Sequence, residues 1–251
     1  MSVKSFLRQL LPNTIQAHYI WNGPLRRNRI VTSWHDYPAA ILGYTERSLL
    51  DWFTANVKPG ETWLDIGAHY GYTAIALCRL VGERGRVFAF EPMLSTAGYL
   101  TQTRLLNQFT QLTVVPMGLG VPDTVMMTRL PIVRGMVDST IQKANAWEET
   151  LLVARMDWLW QQICNDNPSV DGVKIDVQGM EIQVLRGMTS ILAQRHPKLI
   201  VEVHRGVDRG ELLALVERVG YSRDAVPIEP IVGETRAQFV DDKSYAFSPS
   251  C

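Results

Sequence analysis

The sequence predicts an α/β fold on a mostly parallel sheet, and three observations carry that prediction. From Thr45 onward, short apolar runs alternate with stretches of helical periodicity. Two of those runs, around Ile66 and Ile175, close on an acid and a glycine turn. A chain of 251 residues with 46% hydrophobic content is large enough to bury one full core. Strand–helix–strand alternation implies parallel strands joined by crossover helices.

Each element has its own signal. Leu49, Leu50, Trp52 and Phe53 recur at helical spacing, and Val57-Lys58-Pro59-Gly60 stops that helix in a turn. Thr62 to Ile66 reads as a strand and Tyr72 to Val81 as the helix after it. Arg86 to Phe90 is the next strand, followed by Glu91-Pro92 and a helix across Ala97, Leu100 and Leu105. Leu112 to Val115 is a third strand. Val121 to Thr150 breaks the rhythm as a loop or hairpin insertion, with a strand at Val125 to Leu130. Order resumes at Leu151 to Ala154, with a helix near Trp158 to Ile163. Val170 to Ile175 is a strand interrupted at Gly172, and Val184, Leu185, Met188, Ile191 and Leu192 form one face of the following helix. Leu199 to Val203 is a strand, and Asp208-Arg209-Gly210-Glu211 resembles a capping box ahead of Leu212, Leu215, Val216 and Val219. The tail, Gln238 to Ser248, fits a final antiparallel pair. Residues 1–44, rich in Trp and Pro without a clear period, form an N-terminal extension to a domain over residues 45–251.

Composition excludes several classes. Formal net charge is zero, so no global field draws the chain to nucleic acid or an anionic membrane. Arg26-Arg27-Asn28-Arg29 is the one basic cluster and reads as a solvated turn. Cys78, Cys164 and Cys251 show no paired spacing, which argues against a disulfide scaffold or a zinc site and for a reducing cytoplasm. No apolar run reaches the ~20 residues of a membrane span. Ser2 to Leu11 is too broken for a signal peptide and reads as a short amphipathic helix packing on the domain or on a twin subunit, as in a homodimer.

The densest segment is Trp63-Leu64-Asp65-Ile66-Gly67-Ala68-His69-Tyr70-Gly71. It lies at the carboxyl end of a strand, where open α/β sheets hold their ligands. Gly67 permits a tight turn and close backbone approach, and Gly71 close packing of the helix start. The spacing lacks the Gly-x-Gly-x-x-Gly of a dinucleotide site and the Lys-Ser/Thr of a P-loop. Asp65 would repel a pyrophosphate and can hold an ammonium, while Glu91 stands where a carboxylate accepts both hydroxyls of a ribose. An ammonium, a ribose and no phosphate describe S-adenosylmethionine. Asp65, Gly67, Ala68, Tyr70, Gly71 and Glu91 are the candidate cofactor residues; Tyr70 is equally well explained by packing, and Thr73 can line the same mouth.

The second dense segment is Val173-Lys174-Ile175-Asp176-Val177-Gln178-Gly179-Met180-Glu181. Asp176 ends its strand and should face the same cleft as Asp65. Glu202 and His204 alternate onto one face of the next strand. His204 is a candidate general base for a hydroxyl proton, with Glu202 to orient it. Lys174, on the face of Asp176, is placed to hold a developing alkoxide. The structural alternative makes Asp176 a helix cap and His204 a satisfied core histidine.

At these residues the sequence resembles the FkbM family of methyltransferases. The matching pieces run from Trp63 to Tyr72, then Phe90-Glu91-Pro92, Lys174 to Glu181, Val184-Leu185-Arg186-Gly187 and Pro197 to His204. The resemblance covers roughly Thr45 to the C-terminus. It implies a class I methyltransferase, Rossmann-like doubly wound sheet of seven strands with one reversed. It also implies O-methylation of a hydroxyl on a natural product, sugar or other small-molecule or glycan acceptor. Gln178 departs from the family's usual Glu, which removes a hard oxygen ligand and argues against a metal. Arg155-Met156-Asp157-Trp158-Leu159 keeps only the first Asp of the usual Leu-Asp-Asp-Leu, and residues 1–44 match nothing in the family. Trp21, Trp34, Trp147, Trp158 and Trp160 offer stacking surfaces or simple core packing.

Two rival readings remain at this point. An NAD-dependent oxidoreductase needs the absent dinucleotide fingerprint. A non-catalytic binding subunit on the same fold is left open by Gln178, against the intact set of Asp65, Gly67, Gly71 and Glu91.

Overall fold

The computed structural model describes residues 11–133, 136–137, 148–164, 166 and 168–250. The stretch before Leu11, Trp147, Cys251 and part of the expected insertion lie outside the described residues.

The described chain opens with an antiparallel pair, β1 (Gln16–Tyr19) and β2 (Arg29–Thr32), then α1 (Pro38–Leu42) and α2 (Arg47–Asn56). The alternating segment follows as β3 (Thr62–Ile66), α3 (Tyr72–Val81), β4 (Arg86–Phe90), α4 (Leu94–Leu106) and β5 (Leu112–Val115). A smaller sheet interrupts it, made of β6 (Gly118–Leu119), β7 (Met126–Val133), β8 (Met136–Val137) and β9 (Glu148–Ala154). The second half runs α5 (Met156–Ile163), β10 (Gly172–Ile175), α6 (Glu181–Arg186), α7 (Thr189–Arg195), β11 (Lys198–Val203), α8 (Arg209–Arg218), β12 (Val226–Pro227) and β13 (Lys243–Phe247).

The main sheet has seven strands in the order β12-β13-β11-β10-β3-β4-β5. β13 runs antiparallel to both its neighbours, and β11, β10, β3, β4 and β5 pair in parallel. This is the doubly wound sheet with one reversed strand that the sequence led us to expect. Strand order reverses between β3 and β10, and such a switch point opens a crevice at the carboxyl edge. Register fixes what meets there, because Ile66 pairs with both Phe90 and Ile175. Gly67, Glu91 and Asp176 therefore leave the sheet side by side. β3 is central and buried along its whole length, which is why it reads as a near-continuous apolar run.

The N-terminal pair is docked on α4 by side chains. Thr103 Oγ1 accepts from the Val31 amide at 2.9 Å, and Asn107 exchanges hydrogen bonds with the Arg29 backbone at 2.8 and 2.7 Å. Ile20, Leu25, Ile30 and Ala40 share one hydrophobic cluster with Leu49, Phe53 and Trp63. Cys78 and Cys164 are free and buried. No described helix is long and apolar enough to cross a membrane.

Local expectations differ from the structure in four places. The single helix expected through Val184 and Leu192 is two, α6 and α7, broken at Gly187-Met188. Gly187 lies so close to Gly120 that an added Cβ would sit 1.9 Å from the Gly120 carbonyl oxygen, and its own carbonyl accepts from the Asp157 amide. Gly172 starts β10 and does not interrupt it; the indole of Trp63 covers the place a Cβ would fill. Leu151 to Ala154 does not resume the main sheet but pairs with β7 in the insertion. The tail contributes one strand, β13, whose partners are β11 and the short β12. The expected cap before α8 is present, with Asp208 Oδ1 accepting from the Glu211 amide at 3.0 Å.

Candidate active site

The glycine loop is shaped by backbone contacts. Gly67 has φ +80°, and an added Cβ would lie 1.8 Å from the Asp176 carbonyl oxygen. Only glycine lets the ends of β3 and β10 come this close. Gly71, at φ +92°, begins α3 against the Leu100 side chain, so its role is the close helix packing expected of it. Tyr70 is buried, stacked on Tyr99, with its hydroxyl 3.3 Å from Asp36. It packs and does not line the crevice.

Glu91 faces a cavity of about 460 Å³ that Gly67, Ala68 and His69 also line. Its two oxygens accept from the His69 and Met93 amides at 2.9 and 3.0 Å, leaving lone pairs on each for a ligand hydroxyl. Burial pushes its carboxyl up to about 7, against the pull of those two amides.

Asp65 stands one layer behind the wall. It is fully buried, accepts from the Thr73 hydroxyl at 2.7 Å and lies 3.3 Å from Lys174 Nζ. The residue expected to meet the ligand's ammonium thus holds a lysine, and through it the next carboxylate. Lys174 Nζ is 3.2 Å from Asp176, which does line the cavity. Burial works against the Asp176 carboxylate, but the charges of Lys174 and His204 hold it below the usual range.

His204 is also behind the wall and nearly fully buried. Its Nδ1 is 2.6 Å from Glu181 Oε1, and its Nε2 lies 3.5 Å from Asp176 and 3.5 Å from Glu202. The orienting carboxylate is therefore Glu181, not the expected Glu202. Burial alone would lower the imidazole, but the Glu181 hydrogen bond and the carboxylates of Asp176 and Glu202 push it up to about 9. Glu202 lines the cavity, and burial together with neighbouring Asp176 raises its carboxyl to about 8.

Sequence reading gave no role to several residues the structure brings here. Glu181 ends the Lys174–Glu181 motif, and that membership was its only signal. The Gln178 amide is 2.9 Å from His204 Nε2, at φ +52° in a turn completed by Gly179. His69 lines the cavity with a buried, unpartnered Nε2, and burial lowers its imidazole to about 4, so it is neutral. Further wall residues come from outside the strand ends: Tyr37 to Ala39 at the start of α1, and Met117, Leu119, Leu151 and Val153 around the insertion. Leu151 and Val153 alternate inward on β9, while Leu152 points out. Asp176, Glu202 and His204 also offer ligand atoms within 4.8 Å of one another, a set able to hold a divalent cation.

Among known proteins, the profile of the FkbM methyltransferase domain matches residues 65–223. The chain belongs to the FkbM methyltransferase family. The match spans the glycine loop, Glu91, Asp176, Glu202 and His204, and membership makes S-adenosylmethionine the cofactor. The buried Glu91 carboxylate, the neutral His69 and the acids around Lys174 fit a ligand with a ribose, an adenine and a cationic centre.

Among its relatives, this FkbM-family chain is 29% identical over 182 residues to the hexuronic acid methyltransferase AglP of Haloferax volcanii, covering 71% of each. Its fold is similar to an FkbM methyltransferase of Methylobacillus flagellatus, with TM-score 0.51 and 18% identity over 79% of this chain. The chain spans only 50% of that protein's length. It is also similar in fold to Aeropyrum pernix fibrillarin, solved with bound S-adenosylmethionine, with TM-score 0.51 and 14% identity over 93% of this chain and 87% of that one.

Proposed function

We propose that this FkbM-family enzyme methylates a hydroxyl of a sugar-type acceptor, with Asp176 and Glu202 facing that hydroxyl. One observation carries the reading: both carboxylates line the cavity that Glu91 and the glycine loop line, with buried His204 3.5 Å behind each. A sugar acceptor is supported by the similarity to a hexuronic acid methyltransferase.

S-adenosylmethionine supplies an already activated methyl group. The protein is left to align the acceptor and take its proton. Glu202, with its carboxyl raised to about 8, accepts a hydroxyl proton in its ionised form, which grows as pH rises through that value. Asp176, held ionised by Lys174, accepts a hydrogen bond from the same hydroxyl and orients it. His204 does not line this cavity and acts through these two as a positioning residue, fixed by Glu181.

Incubating the protein with S-adenosylmethionine and D-glucuronate or glucuronosides tests this. A product heavier by one methyl and resistant to mild alkali, as an ether is, supports it. An alkali-labile methyl ester overturns the hydroxyl assignment, and no methylated sugar at all overturns the sugar class.

A further inference from the structure

A second cavity, of about 370 Å³, opens beside the first and shares Ala39, Glu46 and Glu202 with it. It contains none of the glycine loop and not Glu91. Its walls are the start of α2, from Tyr44 to Leu49, and the reversed edge of the sheet, including Glu229, Asp242 and Ser244. Glu202, whose carboxylate also accepts from the Ser244 hydroxyl at 3.3 Å, stands at the junction.

The start of α2 breaks two local rules on this wall. Glu46 is the N-cap yet sits at φ +53°, in the left-handed region, and makes no capping hydrogen bond. Arg47 follows in the first turn, a cation at the positive end of the helix dipole, with no acid in that turn. It is exposed and has no ion pair among the described residues. Conflicts with local preference that nothing nearby compensates are expected where a ligand supplies the compensation. Arg47 calls for an anion, best a planar carboxylate that its guanidinium grips in a fork. Glu46 and Asp242 call for hydrogen-bond donors, as does the Glu229 oxygen that Lys243 does not hold, and Tyr44, 59% exposed, offers a ring face.

We infer that this second cavity is the acceptor subsite and that it takes an acidic sugar. The sugar's carboxylate lies on Arg47, its ring hydroxyls on Glu46, Glu229 and Asp242, and the reacting hydroxyl at Glu202. The inference rests on the methyl-transfer reading for the identity of the first cavity, and deepens it by assigning the acceptor class and the residue that selects it. A neutral hexose meets the acids and leaves Arg47 unpaired; a hexuronate satisfies both.

The test is binding to the full chain, read by calorimetry or saturation-transfer NMR, with D-glucuronate, D-glucose and S-adenosylhomocysteine as probes. D-glucuronate binds the wild type more tightly than D-glucose. Arg47→Gln weakens D-glucuronate by roughly tenfold or more, the scale of losing hydrogen bonds between charged groups, and Arg47→Lys recovers part of it. S-adenosylhomocysteine affinity and the melting temperature stay unchanged in both variants, because Arg47 is exposed and outside the first cavity. Equal D-glucuronate affinity in wild type and Arg47→Gln, or no preference for it over D-glucose, overturns the inference. A wild type that binds D-glucuronate through Arg47 but not S-adenosylhomocysteine overturns the methyl-transfer reading and leaves the sugar subsite standing.

Discussion

Glu181 Oε1 lies 2.6 Å from His204 Nδ1, and both side chains are buried between α6 and the end of β11. A hydrogen bond from an imidazole to a buried carboxylate fixes the ring's orientation and favours its charged form. In Glu181→Gln the His204 pKa should fall from about 9 toward the ordinary histidine value, as followed by NMR titration of the ring. A titration unmoved by the substitution would show that Asp176 and Glu202 alone hold the charge.

Turnover should rise with pH through about 8, because the group that accepts the hydroxyl proton must first lose its own. In Glu202→Gln the rate should drop roughly 10²-fold or more and the remaining activity lose that limb, while cofactor affinity stays close to wild type. A Glu202→Gln enzyme with an unaltered pH–rate profile would pass the base role to Asp176.

Cofactor affinity should also depend on pH, with a different midpoint. Ribose hydroxyls donate best to an ionised Glu91, whose carboxyl burial raises to about 7 against the pull of the Met93 and His69 amides and of Lys174. Binding therefore strengthens as pH rises through about 7 and releases a proton below it. Glu91→Gln should weaken S-adenosylmethionine by about 1–3 kcal/mol and flatten the dependence. Calorimetry in buffers of different ionisation enthalpy measures both.

Asp65 makes its contribution to stability as much as to binding. Its carboxylate and Thr73 form one side of a fully buried pair with Lys174. Removing one partner of such a pair typically costs about 3–5 kcal/mol, because the other charge stays buried. Asp65→Ala should lower the urea midpoint by that order, and Asp65→Ala with Lys174→Met by less than the sum of the two. Additive losses would show that the pair is not coupled.

Chelation should leave turnover unchanged. Asp176 already has the Lys174 ammonium at 3.2 Å, and Gln178 occupies the Nε2 side of His204. Activity lost in EDTA and restored by a divalent cation would reassign Asp176, Glu202 and His204 as ligands.

The sheet and its ligand edge were legible in the sequence because they rest on local signals. Apolar runs such as Thr62–Ile66 and glycine turns such as Gly67 announce themselves within ten residues. What stayed hidden depends on contacts between distant segments. Gly187 by itself only weakens a helix; that it must stay glycine shows in the carbonyl of Gly120, which an added Cβ would strike. Nothing near Asp65 signals that its partner is Lys174, since the two meet only because β3 and β10 pair in register. Strand alternation points to Glu202 as the partner that orients His204, but Glu181 reaches it from a helix, where spacing along the strand gives no information.

The pairing of β3 with β10 has a consequence for how the chain comes to work at all. The Thr62 amide and the Asp171 carboxylate, 109 residues apart, close this junction. A chain still emerging from the ribosome owns a glycine loop and Glu91 long before it owns Asp176, Glu202 or His204. Closing so long a loop is an entropic hurdle met late in folding. Until β10 docks beside β3, the crevice has its glycine loop and Glu91 but lacks the carboxylates of its opposite wall.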